Sequence, residues 1–412
     1  MALRDKVLII GNAFDLYHEL PTKYSQFIKV LINIETLDID NKEVSFEDLF
    51  KNIERNAEMK NRFDTEKMIF DKNKIIEIKN KLQNNSWYNS FKTKLNYENW
   101  IDIENEIKST LNIIDKIITE INDVILKFKT CKTVYTKNQG GTYDIRLNPE
   151  NFEYFNLFNF KLKYNSLEIN DFYFKKAQNN YYIEFKKEQF YENLFTELQT
   201  FINIFNDYLE AIVGSFYEKM DSKYTKSLED LKQNIKSFYT FNYTPTLEKL
   251  YGVKKVNYLH GKHGAANHSI VLGIEEVDVM MKNDKIFMFT KYYQKLFNDT
   301  DYEFLSNITT STFKYYDFIF FGHSLAENDQ NYIKEVISIT KAMYNTMTVF
   351  YLNQLDKAQK LKNLLQIAGR EDIESLMKKK KLVFIKIEDK PFESLFNKLP
   401  KSKNTWGESK IV

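Results

Sequence analysis

Lys6-Val7-Leu8-Ile9-Ile10-Gly11-Asn12-Ala13-Phe14-Asp15-Leu16 is the stretch that decides the fold. A short apolar run ending in glycine reads as a buried parallel strand entering a tight turn. Glycine there lets the backbone come close to a ligand, and a helix that follows turns its free N–H groups toward a phosphate. That helix is expected over 22–30, with Thr22 as N-cap and Pro21 restraining the entry. Gly11 is followed by Asn12, Ala13 and Phe14, so the three spaced glycines of a dinucleotide fingerprint are missing. The pattern argues against an ordinary dehydrogenase. It leaves either an α/β nucleotide pocket or a first core strand with no ligand.

After Asp221 short apolar runs alternate with helical stretches, the pattern of a parallel sheet with crossovers. Strands are expected at 237–241, 255–259, 270–273, 317–321, 347–352 and 382–387. With the first strand they make an α/β sheet of about six or seven. Residues 1–35 and 221–400 are thus expected to form one α/β domain, and 36–220 a helical insertion after its first strand-helix unit. Within the insertion Ile103, Ile107, Leu111, Ile114, Ile118, Ile121, Ile125 and Phe128 recur at helical steps, predicting one long amphipathic helix over 100–129. A second helix over 188–216 carries Phe190, Leu194, Leu198, Phe201, Phe205, Leu209 and Ile212 on one face, and the two can pack together. Between them, 130–187 holds short alternating runs such as Tyr181-Tyr182-Ile183-Glu184-Phe185 and reads as an irregular, partly β segment. Its aromatics form either a small satellite core or a contact surface. Residues 401–412 read as a mobile tail.

The 412 residues leave room for roughly two or three domains and a large core. A net charge of +2 does not by itself indicate nucleic acid or an acidic substrate. Cys131 is the single cysteine, so one chain can form neither a disulfide nor a cysteine-based zinc site, which fits a reducing compartment. No run approaches the ~18 apolar residues of a membrane span. A soluble, cytoplasmic protein with no membrane partner is expected.

Ligands of open parallel sheets bind beyond the carboxyl ends of the strands. The residues there are Gly11, Asn12 and Asp15; Asn242, Tyr243 and Thr244; His260 and Gly261; and Gly322, His323, Ser324 with Asp329 further on. Four strand ends carrying small or polar residues suit one pocket. Each also has an ordinary local reading. Asn242 and the threonines after it can cap a helix over 247–251. His260 can end a strand with a satisfied imidazole, Gly322-His323-Ser324 can be a plain strand-to-helix turn, and Asp15 can cap or salt-bridge locally. His260, His263 and His268 lack the helical spacing of a zinc hydrolase, and Gly261 and Gly264 interrupt any helix there, so no metal is assigned to them. Asp102 and Glu104 open the long helix, where carboxylates suit the dipole. They stand about 200° apart around it, so at most one faces a pocket.

In order along the chain come Ile10-Gly11-Asn12-Ala13-Phe14-Asp15, then His18 with Leu20-Pro21-Thr22 and Tyr24, then Trp100-Ile101-Asp102-Ile103-Glu104. Phe241-Asn242-Tyr243-Thr244 with Leu247-Glu248, Leu259-His260-Gly261, Leu272-Gly273-Ile274, and Gly322-His323-Ser324-Leu325 with Asp329 follow. As a set they resemble the abortive-infection AbiH family of bacterial phage-defence proteins. Ala13 stands where that family usually has glycine, and its methyl either fits a negative φ or narrows the pocket floor. More remotely, the order of glycine turn, Asn, His-Gly and Gly-x-Ser is similar to sirtuin-like NAD-binding domains.

These resemblances imply a Rossmann-like fold and a role in phage defence, with a phage-derived trigger and room for homo-oligomers. They imply NAD as a substrate cleaved between nicotinamide and ribose, with Asn242 and His260 as the catalytic pair. His260 would be the base, its pKa near working pH, and Asn242 would fix the water or ribose hydroxyls. Gly11, Asn12 and the following helix would take the pyrophosphate, Ser324 and Asp329 a ribose, and Asp15 the nicotinamide side. Gly322 and Thr244 complete the cofactor-binding set, Thr244 standing where sirtuin-like sequences carry aspartate. His18, Tyr24, Asp102, Glu104 and His323 are accessory. The four-cysteine zinc module of deacetylating sirtuins cannot form. Two rivals remain: a nucleotide-sensing module without turnover, and a magnesium-dependent nuclease using Asp15, Asp102 and Glu104.

Overall fold

The structure, a computed structural model, describes residues 4–39, 43–98, 101–128, 135–137, 142–145, 158, 160–163, 166–176, 183–220, 235–264, 267–275, 284–298, 300, 304–305, 315–342 and 344–387. Val7, Leu8, Ile9 and Ile10 are all buried, as an apolar run covered on both faces must be. They lie in β1 (Arg4–Ile10). The other strands of the sheet are β2 (Ile235–Thr240), β3 (Asn257–Tyr258), β4 (Tyr315–Phe321), β5 (Thr346–Tyr351) and β6 (Leu382–Lys386). Their order is β3-β2-β1-β4-β5-β6, and every neighbouring pair is parallel. The chain runs outward from β1 through β2 and β3, then returns to β1's other edge and continues through β4, β5 and β6. This is the Rossmann-like strand order, and its ligand crevice lies where the direction reverses, between β1 and β4.

The expected strand 270–273 is not one. Val271 N–H donates to the His260 carbonyl, and the Gln294 side chain bonds both the N–H and the carbonyl of Leu272, so this backbone is satisfied without a ladder. The expected helix 22–30 also shifts. A single helical turn, α1 (Ala13–Tyr17), follows Gly11, and α2 (Tyr24–Thr36) begins only after Lys23, its N-cap. The Thr22 hydroxyl donates to Asn12 Oδ1 at 2.7 Å instead of capping the helix.

The insertion covers one face of the sheet. Its helices include α3 (Lys72–Leu82), α4 (Ser86–Glu98), α5 (Ile103–Phe128) and α6 (Lys187–Asp207). Their apolar residues share one core with Leu8, Ile10, Ile319, Phe321 and Phe350 of the sheet. Every predicted apolar position of α5 from Ile103 to Ile125 is buried. The second predicted helix continues past Asp207 through a π-turn to Glu218, and meets α5 where Tyr191 Oη donates to Asp115 at 3.2 Å. In the partly β segment, Ile169, Tyr173, Phe174 and Phe185 pack into this main core. Trp100, part of the 130–187 segment and the expected tail lie outside the described residues.

After β2 the chain forms α7 (Thr246–Tyr251), and α8 (Lys291–Phe297) follows β3. The sheet's other face carries Val7, Ile9, Phe318, Phe320, Met347 and Val349. These pack against α9 (Gln330–Lys341), α10 (Gln354–Ala368) and α11 (Arg370–Lys378). Among the described residues no helix is long and apolar enough to cross a membrane.

The loops after β1 and β4 interlock. Gly322 has φ +68°, and a Cβ there would lie 2.4 Å from Phe14 N, a backbone atom that cannot step aside. Gly322→Ala is therefore expected to lose about 2 kcal/mol through strain and overpacking. A lowered denaturant midpoint checks this, and an unchanged one overturns it.

Candidate functional site

A cleft of about 1320 Å³ opens at the carboxyl edge of the sheet, over the crevice between β1 and β4. Every residue assigned a site role from the sequence lines it, from Gly11 and Asp15 through Asn242 and His260 to Ser324 and Asp329. They do not play equal parts.

Asp15 sits on α1 and is 1% exposed. Thr246 Oγ1 donates to its Oδ1 at 2.6 Å, and Thr244 Oγ1 donates to its Oδ2. Burial raises the Asp15 pKa more than these donors and the neighbouring Asn242 lower it, leaving it at about 6. The Asn242 backbone N–H donates to Thr240 Oγ1 at 2.9 Å. Its side-chain Oδ1 and Nδ2 are buried and have no hydrogen-bond partner. The local capping role does not use them, since α7 has Pro245 at its N-cap and no side-chain cap.

Around Asp329 lies a buried charged group. Its Oδ1 is 3.0 Å from His260 Nε2 and 3.5 Å from Lys291 Nζ, and its Oδ2 is 3.1 Å from His323 Nε2. Lys291 Nζ also lies 2.8 Å from Glu104 Oε2. Leu325 N–H donates to His323 Nδ1 at 2.9 Å, so the proton of neutral His323 is on Nε2 and points at Asp329. Burial pushes the Asp329 pKa up, but Lys291, His260 and His323 together hold it well below the ordinary value. Burial likewise raises Glu104, despite Lys291.

His260 differs from expectation. Burial and then Lys291 push its pKa down, and the pull of Asp329 does not compensate, so it falls to about 3. At neutral pH it is an uncharged imidazole, and the cleft carboxyls that titrate close to working pH are Asp15, at about 6, and Glu104, raised by burial to about 7. The phosphate contact also differs. Gly11 N–H donates to the Phe321 carbonyl, so this one of the amides expected to meet a pyrophosphate is already bonded, and Ala13 N–H is likewise taken by the Gly322 carbonyl.

The remaining residues are structural in their visible contacts. Asn12 is tied to Thr22, and Asp102 accepts from Asn105 N–H at the start of α5. His18 donates from Nδ1 to the Phe14 carbonyl at 2.8 Å and accepts from Tyr251, and burial lowers its pKa to about 3. Tyr24 is partly buried, with its pKa raised mainly by desolvation. Ser324 Oγ accepts from Ala326 N–H at 3.3 Å on the exposed rim.

A model of the family described as bacteriophage abortive infection AbiH matches residues 7–351. The chain belongs to the AbiH family. The match runs from β1 to the last residue of β5 and takes in every cleft residue described above. Neither the curated proteins nor the solved structures returned a match. What the family assigns to this AbiH chain is an abortive-infection role.

Behind the wall of the AbiH cleft the sequence reading missed Lys291, which meets Glu104 and Asp329, and Thr246, which donates to Asp15. On α8, Lys291, Gln294 and Lys295 are buried while Tyr292, Leu296 and Phe297 are exposed. Their i, i+3, i+4 spacing marks a helix face, but a polar one, and a search for apolar periodicity passes over it. The carboxylates proposed for magnesium are committed elsewhere: Asp15 to threonines, Asp102 to a cap and Glu104 to Lys291. Among the described residues no three His, Cys, Asp or Glu side chains are placed to hold a metal ion.

Proposed function

We propose that this AbiH chain acts in abortive infection by binding NAD in the cleft and hydrolysing the bond between nicotinamide and ribose. The observation that carries most weight is the Asn242 amide, buried beside Asp15, whose pKa it lowers, with neither polar atom in a well-aligned hydrogen bond. An unsatisfied buried amide costs about 1–3 kcal/mol per group, and such a group in a cleft suits a ligand that completes its bonds. The strand order supports a nucleotide at this crevice.

Breaking the bond leaves its electron pair on the nicotinamide nitrogen and an oxocarbenium-like ribose. A water oxygen then bonds to the ribose carbon and gives up a proton. Asn242 would hold that water or the ribose hydroxyls through both ends of its amide. Asp15 would stabilise the developing positive charge as a carboxylate and accept the proton, its pKa matched to that task. His260, neutral at working pH, would orient rather than abstract. With the amides of Gly11 and Ala13 engaged, the charge for the diphosphate would come from Arg55 and Arg62, which line the same cleft.

Incubation of the purified chain with NAD is expected to release nicotinamide and ADP-ribose in equal amounts. Turnover should rise with pH through about 6 as Asp15 ionises. A flat profile between pH 5 and 8 would remove Asp15 from the role. NAD retained but unconverted, with and without phage lysate, would make the cleft a sensor.

A further inference from the structure

Glu104, Lys291 and Asp329 come from three elements: the first turn of α5, the first turn of α8, and the turn before α9. Their side chains are 11%, 2% and 12% exposed. Desolvation largely offsets the attraction within such a buried ionic group, so it contributes little to stability and is better understood as fixing geometry.

His323 occupies Asp329 Oδ2 with a proton whose place is set by the Leu325 N–H. Oδ1 is left to His260 and Lys291. His260 Nε2 lies 3.0 Å from Oδ1 without the alignment of a hydrogen bond, and an ionised carboxylate that close repels a nitrogen lone pair, so a neutral His260 is favoured with its proton on Nε2. Its Nδ1 is then the acceptor. We propose that Lys291, anchored by Glu104, is a positioning residue that keeps Asp329 ionised and thereby locks His260 in the Nε2–H form, with Nδ1 free to accept from the reacting water or a ribose hydroxyl. The depressed Asp329 pKa agrees with this. The inference deepens the reaction proposed above and rests on it for the identity of the acceptor's partner, while the tautomer itself can be tested without turnover. The charged groups acting on His260 are Lys291, Asp329 and Lys295.

The test is imidazole 15N NMR on the full chain, whose five histidines keep the spectrum assignable, with His260→Ala identifying the signal. In the parent, His260 should be the Nε2–H tautomer and remain uncharged from pH 8 to 5. In Lys291→Met, Asp329 and Glu104 lose their shared cation, a proton joins the carboxyl pair, and His260 should gain a clear Nδ1–H population. Lys291→Arg, which keeps the charge, should restore the parent pattern. NAD turnover by Lys291→Met should fall at least about tenfold in kcat with KM little changed, as expected for a wrong tautomer. A parent His260 protonated on Nδ1, or a Lys291→Met chain with the parent pattern, overturns the proposal. If Lys291→Met does not fold, the parent tautomer alone still decides it. If the parent shows the Nε2–H form but no nicotinamide release, the NAD reading fails and the positioning of His260 stands.

Discussion

Asn242→Ala is expected to abolish protection against phage while leaving the chain as stable as the parent or slightly more so. Most losses of function at a buried residue come with a loss of stability, because the side chain was bonded or packed. Here the amide makes no well-aligned hydrogen bond and its one polar interaction is the weak one that lowers the Asp15 pKa, so removing it relieves most of a penalty of about 1 kcal/mol. Its backbone bond to Thr240 Oγ1 does not depend on the side chain. Alanine also leaves its space at a cleft wall, where water can enter, rather than as a sealed cavity. On the proposed mechanism, the water and ribose hydroxyls lose the amide that holds them, and nicotinamide release should fall at least about a hundredfold. Plaque counts, cellular NAD and an unfolding curve measured together separate the possibilities. A stable Asn242→Ala chain that still protects removes Asn242 from the site, and a chain that fails by unfolding shows the amide was structural. His260→Ala is a less clean probe, because it leaves Asp329 and Lys291 facing an empty space.

What the sequence made legible follows from how far each determinant reaches along the chain. The strand Val7-Leu8-Ile9-Ile10 and the helix from Ile103 to Ile125 are set by local periodicity, so their types were readable and their ends moved by only a few residues. The crevice was readable too, because strand ends in a parallel sheet share an edge whatever the details. The segment 270–273 was not, since it is as apolar as a strand and what decides its fate is a glutamine more than twenty residues later, Gln294, that takes up its backbone groups. The protonation of His260 was hidden for the same reason. Its depressed pKa depends on burial and on Lys291, a residue on another element whose surroundings reverse the usual apolar-in rule. Loop interlock at Gly322 likewise redirected the amides of Gly11 and Ala13, an outcome that depends on two loops more than three hundred residues apart meeting at van der Waals distance.

The second large effect concerns stability and pH. In the unfolded chain the Asp15 carboxyl has an ordinary pKa of 3.8, and in the folded chain burial raises it to about 6. The folded state therefore holds this proton more tightly than the unfolded state does. The associated stability is fully present below pH 3.8 and is lost as pH rises through about 6, where the folded chain must carry a buried charge. A shift of roughly two pH units corresponds to about 3 kcal/mol. Asp15→Asn keeps the shape and removes the charge, so it should stabilise the chain by up to about that amount at pH 8 and by only about a third of it at pH 4.5. Thr244 and Thr246 temper the gain, because one of the two hydroxyls that donate to the carboxylate must turn to accept from the new amide. Other buried acids such as Glu104 also titrate, but they are present in both chains and cancel in the comparison. The measurement is the difference in unfolding free energy between parent and Asp15→Asn at the two pH values. A difference of the same size at both would mean that Asp15 is not the strained carboxyl of this cleft. A gain larger at high pH, accompanied by loss of turnover, would show that the cleft holds a charge at the expense of stability because the chemistry uses it.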